Sequence, residues 1–149
     1  MPEQAGVWRL RLPAVLESVE RFQGLAKEAA TACGFSENAL FRLELAVEET
    51  LVNVVNYAYG QTADGWIEMS CSAGEAGELT VEVSDRGRPF DPLALPDPKT
   101  DAAVSDRKVG GLGVFLVRKM ADSVSYKRSD DRNILTLTFR RPAEAPSDR

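Results

Sequence analysis

The chain has 149 residues, 44% of them hydrophobic and 28% charged, with a net charge of −5, two cysteines and no histidine. That length fits one domain with a core large enough to need no disulfide or metal staple, and the acidic balance argues against a broad nucleic-acid surface. Without histidine, a Ser-His-Asp triad, an imidazole base or metal ligand, and phosphorylation of the chain's own histidine are all excluded.

No apolar run is long enough to cross a membrane, and the amino-terminal MPEQAGVWRLRLP lacks the apolar stretch of a secretion signal. The expectation is a cytoplasmic protein, with Cys33 and Cys71 as reduced, buried small residues.

Residues 1–6 read as a loose terminus. In 7–12, Trp8, Leu10 and Leu12 alternate with Arg9 and Arg11, which predicts a half-buried strand. Pro13 is placed to open a helix, where its missing N–H costs nothing. Val15, Val19, Phe22, Leu25 or Ala26, and Ala29 supply that helix's apolar stripe, and Gly34 stops it. Ser36 caps a second helix, with Glu37 in its first turn, running to Tyr59-Gly60. Residues 66–73 and 79–84 alternate on either side of a glycine-containing turn at 74–77, which predicts a hairpin. Residues 91–109 contain Pro92, Pro96 and Pro98, just after Pro89, and hold no sustained period. Such long loops in compact domains are usually functional lids or disorder. A short helix is predicted over 114–120, then a closing strand pair, 123–127 and 135–139, across a turn at 129–133, then a polar tail at 142–149. The order predicts an α+β fold: a two-layer sandwich with a mixed five-stranded sheet and three helices on one face, in a single domain over 1–149.

Three places in this layout carry chemistry. The first is the stretch 43–59, LELAVEETLVNVVNYAY. Leu43, Val47, Thr50, Leu51, Val54 and Ala58 recur at helical spacing as one apolar stripe. Glu49 and Asn53 lie four apart, one above the other on a neighbouring face, and Asn56 continues the row. Mg²⁺ keeps several waters and takes oxygen ligands, so one amide oxygen plus phosphate oxygens can hold it, and a carboxylate one turn away can take a proton from an attacking hydroxyl. Alone, the pair reads first as a solvated Glu and Asn on an amphipathic helix. The second place is Asp85-x-Gly87 at a strand end, by itself an ordinary turn. An ionised carboxylate only accepts hydrogen bonds, so it suits the amino group of adenine and rejects the carbonyl of guanine. The third is Gly110-Gly111-Leu112-Gly113 before a helix, either a hinge or an anion cradle of backbone N–H groups at a positive helix end.

In this order, Glu-x-x-x-Asn on a helix, Asp-x-Gly at a strand end, a lid, and Gly-x-Gly opening a helix, the motifs resemble the GHKL superfamily of histidine kinases, gyrases and related ATPases. Over residues 9–140 the chain is similar, within that superfamily, to the anti-sigma-factor serine/threonine kinases of partner-switching systems. The resemblance implies the Bergerat ATP-binding fold, with ATP and Mg²⁺ as cofactors. It implies Glu49 as general base, Asn53 as Mg²⁺ ligand, Asp85 and Gly87 at the adenine, and Gly110, Gly111, Leu112 and Gly113 at the phosphates. Arg107 and Lys108, just before those glycines, are placed to neutralise charge on the γ-phosphate. The chain departs from many relatives by carrying Tyr57 where they have histidine and Pro89 where they have a second glycine; the proline stiffens the start of the lid.

The implied partners are an anti-anti-sigma antagonist protein, which would be phosphorylated, and a sigma factor or analogous regulator, which would be sequestered. A homodimer is also implied, without direct contact to nucleic acid or membrane. Trp8 and the open sheet face are the candidate partner surfaces. Two alternatives stay open: a nucleotide-regulated binding module with little or no kinase activity, and a stand-alone histidine-kinase-like ATPase domain.

Overall fold

The computed structural model describes residues 6–59, 64–94 and 111–141. Strand β1 (Val7–Pro13) buries Trp8 and Leu12 and exposes Arg9 and Arg11, as their alternation predicts. Pro13 does not open a helix. It ends β1 opposite Trp66, and because β1 is an edge of the sheet a residue without an N–H is tolerated there. A 3-10 turn, Leu16–Ser18, intervenes, and the Ser18 hydroxyl donates to the Pro13 carbonyl at 2.7 Å. Helix α1 (Val19–Ala32) then buries Phe22, Ala26, Ala29 and Ala30. Gly34, at φ +86°, makes the left-handed exit. Ser36 caps α2 (Glu37–Asn53), its hydroxyl accepting the Ala39 N–H at 3.3 Å.

The remaining elements are β2 (Trp66–Ala73), β3 (Glu78–Asp85), α3 (Gly111–Met120), β4 (Ser123–Ser129) and β5 (Arg132–Arg140). The closing hairpin is longer than the sequence suggests. Its turn is only Asp130 and Asp131, both left-handed at φ 54° and 63°, the backbone that a two-residue hairpin turn requires. Asn133 therefore belongs to β5 and not to the turn.

The sheet order is β1-β2-β3-β5-β4, and every neighbouring pair is antiparallel. This corrects the expectation of a mixed sheet. β3 and β4 do run in the same direction, but β5 lies between them and opposes both. The helices pack on one face, α2 between α1 and α3. Leu43, Val47 and Leu51 of α2 meet Met69, Cys71, Leu79, Val81 and Leu137 of the sheet, all 0% exposed. The other face carries Arg11, Glu68, Thr136 and Thr138 at least partly exposed. There Trp66 lies beneath the guanidinium groups of Arg11 and Arg132, 4.0 and 5.1 Å from its ring centre. Trp8 is not part of that surface: it is 5% exposed, in the core. Cys71 is buried and its thiol is pushed up to about 12, first by burial and then by Cys33. Cys33 is only half-buried, and both cysteines are free.

Candidate functional site

The end of α2 faces a cleft of about 450 Å³, partly open to solvent. Thr50, Asn53 and Val54 form one wall, Val83 and Asp85 of β3 the floor, and Leu135, Asn133, Val124 and Tyr126 of the closing hairpin the far side. Phe90, Pro92 and Leu93 close one rim, and Val117 of α3 another. The lining is mostly aliphatic, with a few polar groups converging on it, the usual make-up of a small-molecule site.

Asp85, at the end of β3, is 1% exposed. The Gly87 N–H and the Asn133 amide both donate to its Oδ1, at 2.8 and 2.9 Å. Among the described residues no hydrogen bond ends on Oδ2, which leaves one carboxylate oxygen open in an apolar cleft. Burial raises the Asp85 pKa; the Asn133 and Gly87 hydrogen bonds and the charge of Arg128 oppose that rise.

The loop after Asp85 is held on every side. A Cβ on Gly87 would stand 2.5 Å from the Ala58 carbonyl oxygen, so only glycine permits this approach. Residues Val54–Ala58 continue α2 as a π-helical turn, and as the helix ends there its last carbonyls have no partner within it. Arg88 takes two of them: its backbone N–H donates to Ala58 at 2.9 Å and its Nε to Tyr57 at 2.8 Å. Arg128 donates to the Gly87 carbonyl at 2.8 Å. The Tyr59 hydroxyl accepts from the Arg86 N–H at 2.8 Å and donates to the Trp66 carbonyl at 2.7 Å. Tyr57 packs its ring against Phe90, centres 5.6 Å apart.

Asn133 joins these parts. Its oxygen accepts from the Tyr126 hydroxyl at 2.6 Å and the Phe90 N–H at 3.1 Å. Its amide donates to Asp85 Oδ1 and to the Arg88 carbonyl, both at 2.9 Å. The side chain is thus satisfied on both ends while it orients the carboxylate.

On α2, Asn53 is 6% exposed, lines the cleft, and makes no side-chain hydrogen bond to a described residue. Glu49, one turn earlier, is half-buried and stands outside the cleft lining. Burial raises its pKa, and the neighbouring Glu48 charge adds to that. Thr50 Oγ1 is buried without a hydrogen-bond partner, alone in this among the described side chains.

The structure therefore brings Asn53 and Asp85 to one cleft, with Gly87 hydrogen-bonded to Asp85 and Glu49 outside the lining. Gly111, Leu112 and Gly113 form the first turn of α3. Arg107, Lys108 and Gly110 lie outside the described residues. Sequence reasoning missed Asn133, Tyr126 and Arg128, which stand on the closing hairpin and carry no motif, and took Tyr59 only as the end of the 43–59 helix. Among the described residues no group of three acidic or sulfur ligands exists to hold a metal by itself, and no helix is long and apolar enough to cross a membrane.

Residues 12–139 match the histidine kinase-like ATPase domain, and the chain belongs to that family. It is 34% identical over 136 residues to the serine-protein kinase RsbW of Listeria monocytogenes, covering 87% of this chain and 85% of the relative. It is 30% identical over 104 residues to the serine/threonine-protein kinase BtrW of Bordetella bronchiseptica, covering 70% and 72%. Among solved structures, the RsbU and RsbW domains of a Mycobacterium tuberculosis protein superpose with a TM-score of 0.65 at 17% identity, over 95% of this chain and 34% of that one. A blue-light activated histidine kinase of Erythrobacter litoralis superposes with a TM-score of 0.55 at 22% identity, over 72% and 32%. This chain thus spans about a third of either solved chain, and both share its fold.

Proposed function

We propose that the domain binds Mg²⁺-ATP in the cleft and transfers the γ-phosphoryl group to a serine or threonine of an antagonist protein, acting as the kinase of an anti-sigma partner switch. The observation that carries the nucleotide is Asp85: a buried carboxylate, fixed through one oxygen, with its other oxygen open in an aliphatic slot. That is an acceptor for the amino group of adenine. The names of the relatives, protein kinases for serine or threonine, support a hydroxyl as the phosphoryl acceptor.

The residues present fit a magnesium ion that arrives with its nucleotide. Asn53 offers an amide oxygen on the cleft wall that makes no hydrogen bond to a described residue, and a cation held mainly by phosphate and water needs few protein ligands. Bound there, the ion would supply charge neutralisation at the phosphates. Glu49 is the base in this scheme. The acceptor hydroxyl oxygen forms a bond to the γ-phosphorus, the bond from that phosphorus to the bridging oxygen breaks, ADP leaves, and the hydroxyl proton passes to Glu49. Its raised pKa makes it a better proton acceptor than an exposed glutamate. Gly111, Leu112 and Gly113 would offer backbone N–H groups to the phosphates, with Gly110, Arg107 and Lys108 preceding them. A sigma factor or analogous regulator would be held while the antagonist is phosphorylated.

The test is transfer of labelled γ-phosphate to a candidate antagonist protein from the same genome. Wild type should label it on serine or threonine. Glu49→Gln should retain Mg²⁺-ATP binding and lose roughly 10²–10⁴-fold in transfer rate. Nucleotide binding with no transfer by wild type would leave a binding module in place of a kinase, and full transfer by Glu49→Gln would remove Glu49 from the chemistry.

A further inference from the structure

Thr50 sits in mid-helix on the cleft wall, 3% exposed, between the buried Leu51 and the buried Ala46 and Val47 of the same face. A threonine in that setting normally gives its hydroxyl to the carbonyl one turn back or to solvent. Here Oγ1 does neither. Valine has the same shape and would fill the position without leaving a polar atom stranded, so the hydroxyl is unexplained by packing.

The other polar side chains of the cleft divide clearly. Asn133 and Tyr126 bond each other, and Asn133 also bonds the strand end and loop. Asn53 belongs to the metal in the function proposed above. What remains without a partner among the described residues is Asp85 Oδ2, an acceptor, and the buried Thr50 Oγ1, a group that can donate. The edge of adenine that carries the amino group presents a donor flanked on both sides by ring nitrogens that accept. An acceptor on the floor and a donor on the wall of the cleft match that sequence of groups; in the same pose guanine would set its carbonyl against the Asp85 carboxylate.

We propose that the Thr50 hydroxyl is a second base-reading group, hydrogen-bonding, directly or through one ordered water, to a ring nitrogen beside the amino group that Asp85 receives. The proposal rests on ATP as the ligand of this cleft and assigns the contact that positions its base.

Calorimetric titration of wild type, Thr50→Val and Thr50→Ser with the magnesium complexes of ATP, 1-deaza-ATP and 7-deaza-ATP tests it. Wild type should bind one of the two analogues roughly five- to tenfold more weakly than ATP, the effect of one hydrogen bond. Thr50→Val should bind ATP more weakly by a similar factor and show no further loss with that analogue, and Thr50→Ser should restore both the affinity and the discrimination. Without nucleotide, Thr50→Val should melt no lower than wild type, since it removes a stranded polar atom. Wild-type affinity for ATP in Thr50→Val, or the same analogue penalty in both proteins, would overturn the assignment while leaving ATP as ligand. Equal binding of all three nucleotides by wild type would overturn it even if the valine variant does not fold. No binding of ATP by wild type would remove both this contact and the function it rests on.

Discussion

The surroundings of Asp85 on balance disfavour its charged form. Burial raises its pKa, and two hydrogen bonds on Oδ1 with the charge of Arg128 only oppose the rise. The folded protein therefore holds this proton more tightly than the unfolded chain does. As pH rises from the unfolded pKa through the folded one, stability falls, and above both values the full cost remains. Asp85→Asn keeps an oxygen for Gly87 and Asn133 and removes the charge, so at neutral pH the nucleotide-free variant should be at least as stable as wild type. It also turns the open acceptor into a donor. ATP affinity should fall about 10- to 100-fold, the scale of a hydrogen bond to a charged group. In wild type the affinity should weaken as pH drops through the raised Asp85 pKa, and in the variant that limb should be absent. Calorimetry across pH checks both; a variant that binds ATP normally would separate Asp85 from the base.

At this scale the sequence exposes residues that sit in short motifs and hides those that do not. Glu49 and Asn53 share a helix face, and Asp85 and Gly87 are two apart, so local spacing suffices to find them. Asn133 lies 48 residues beyond the Asp85 it orients, beside two turn aspartates that disguise it as part of a loop. Thr50 matches the apolar stripe of α2 and is indistinguishable from packing until its hydroxyl is seen to lack a partner.

Among the elements, the junction between the π-helical end of α2 and the loop after β3 is a close backbone-to-backbone fit. Gly87 carries no positive φ, so its requirement is proximity alone: the added methyl of Gly87→Ala would meet backbone oxygen and carbon of Ala58 at 2.5 and 2.7 Å. Neither is the end of a flexible side chain. The substitution should cost about 1–3 kcal/mol, the range for overpacking a fixed site. Urea unfolding checks it, and a change below about 0.5 kcal/mol, the size of an ordinary surface substitution, would mean that the loop moves aside freely. The sequence shows that a glycine follows Asp85 but not what it abuts, because the π-turn 54–58 has the same stripe as a plain helix. Pro13 misleads for a related reason: a proline suits a first helical turn and a strand end equally, and the edge position of β1 decides between them.

For the whole molecule, the two-layer arrangement and the count of elements follow from periodicity, whereas strand direction across the sheet does not. The partner of β3 on its far side is β5, reached only after α3 and β4. Placing β4 at the edge and returning β5 beside β3 makes the sheet antiparallel throughout and carries Tyr126 and Asn133 to the cleft. The cleft is thus assembled from α2, β3 and the closing hairpin, three parts far apart in the chain, and no one of them could form it alone. Titration calorimetry with Mg²⁺-ATP and Mg²⁺-GTP tests most directly whether that cleft reads adenine. ATP should bind at one site per chain, at least about tenfold more tightly than GTP, and at roughly 100 times its dissociation constant stabilise the fold by ~2.7 kcal/mol, a rise of about 5–10 °C in Tm. No heat with ATP, or equal affinity for GTP, would contradict an adenine held by Asp85.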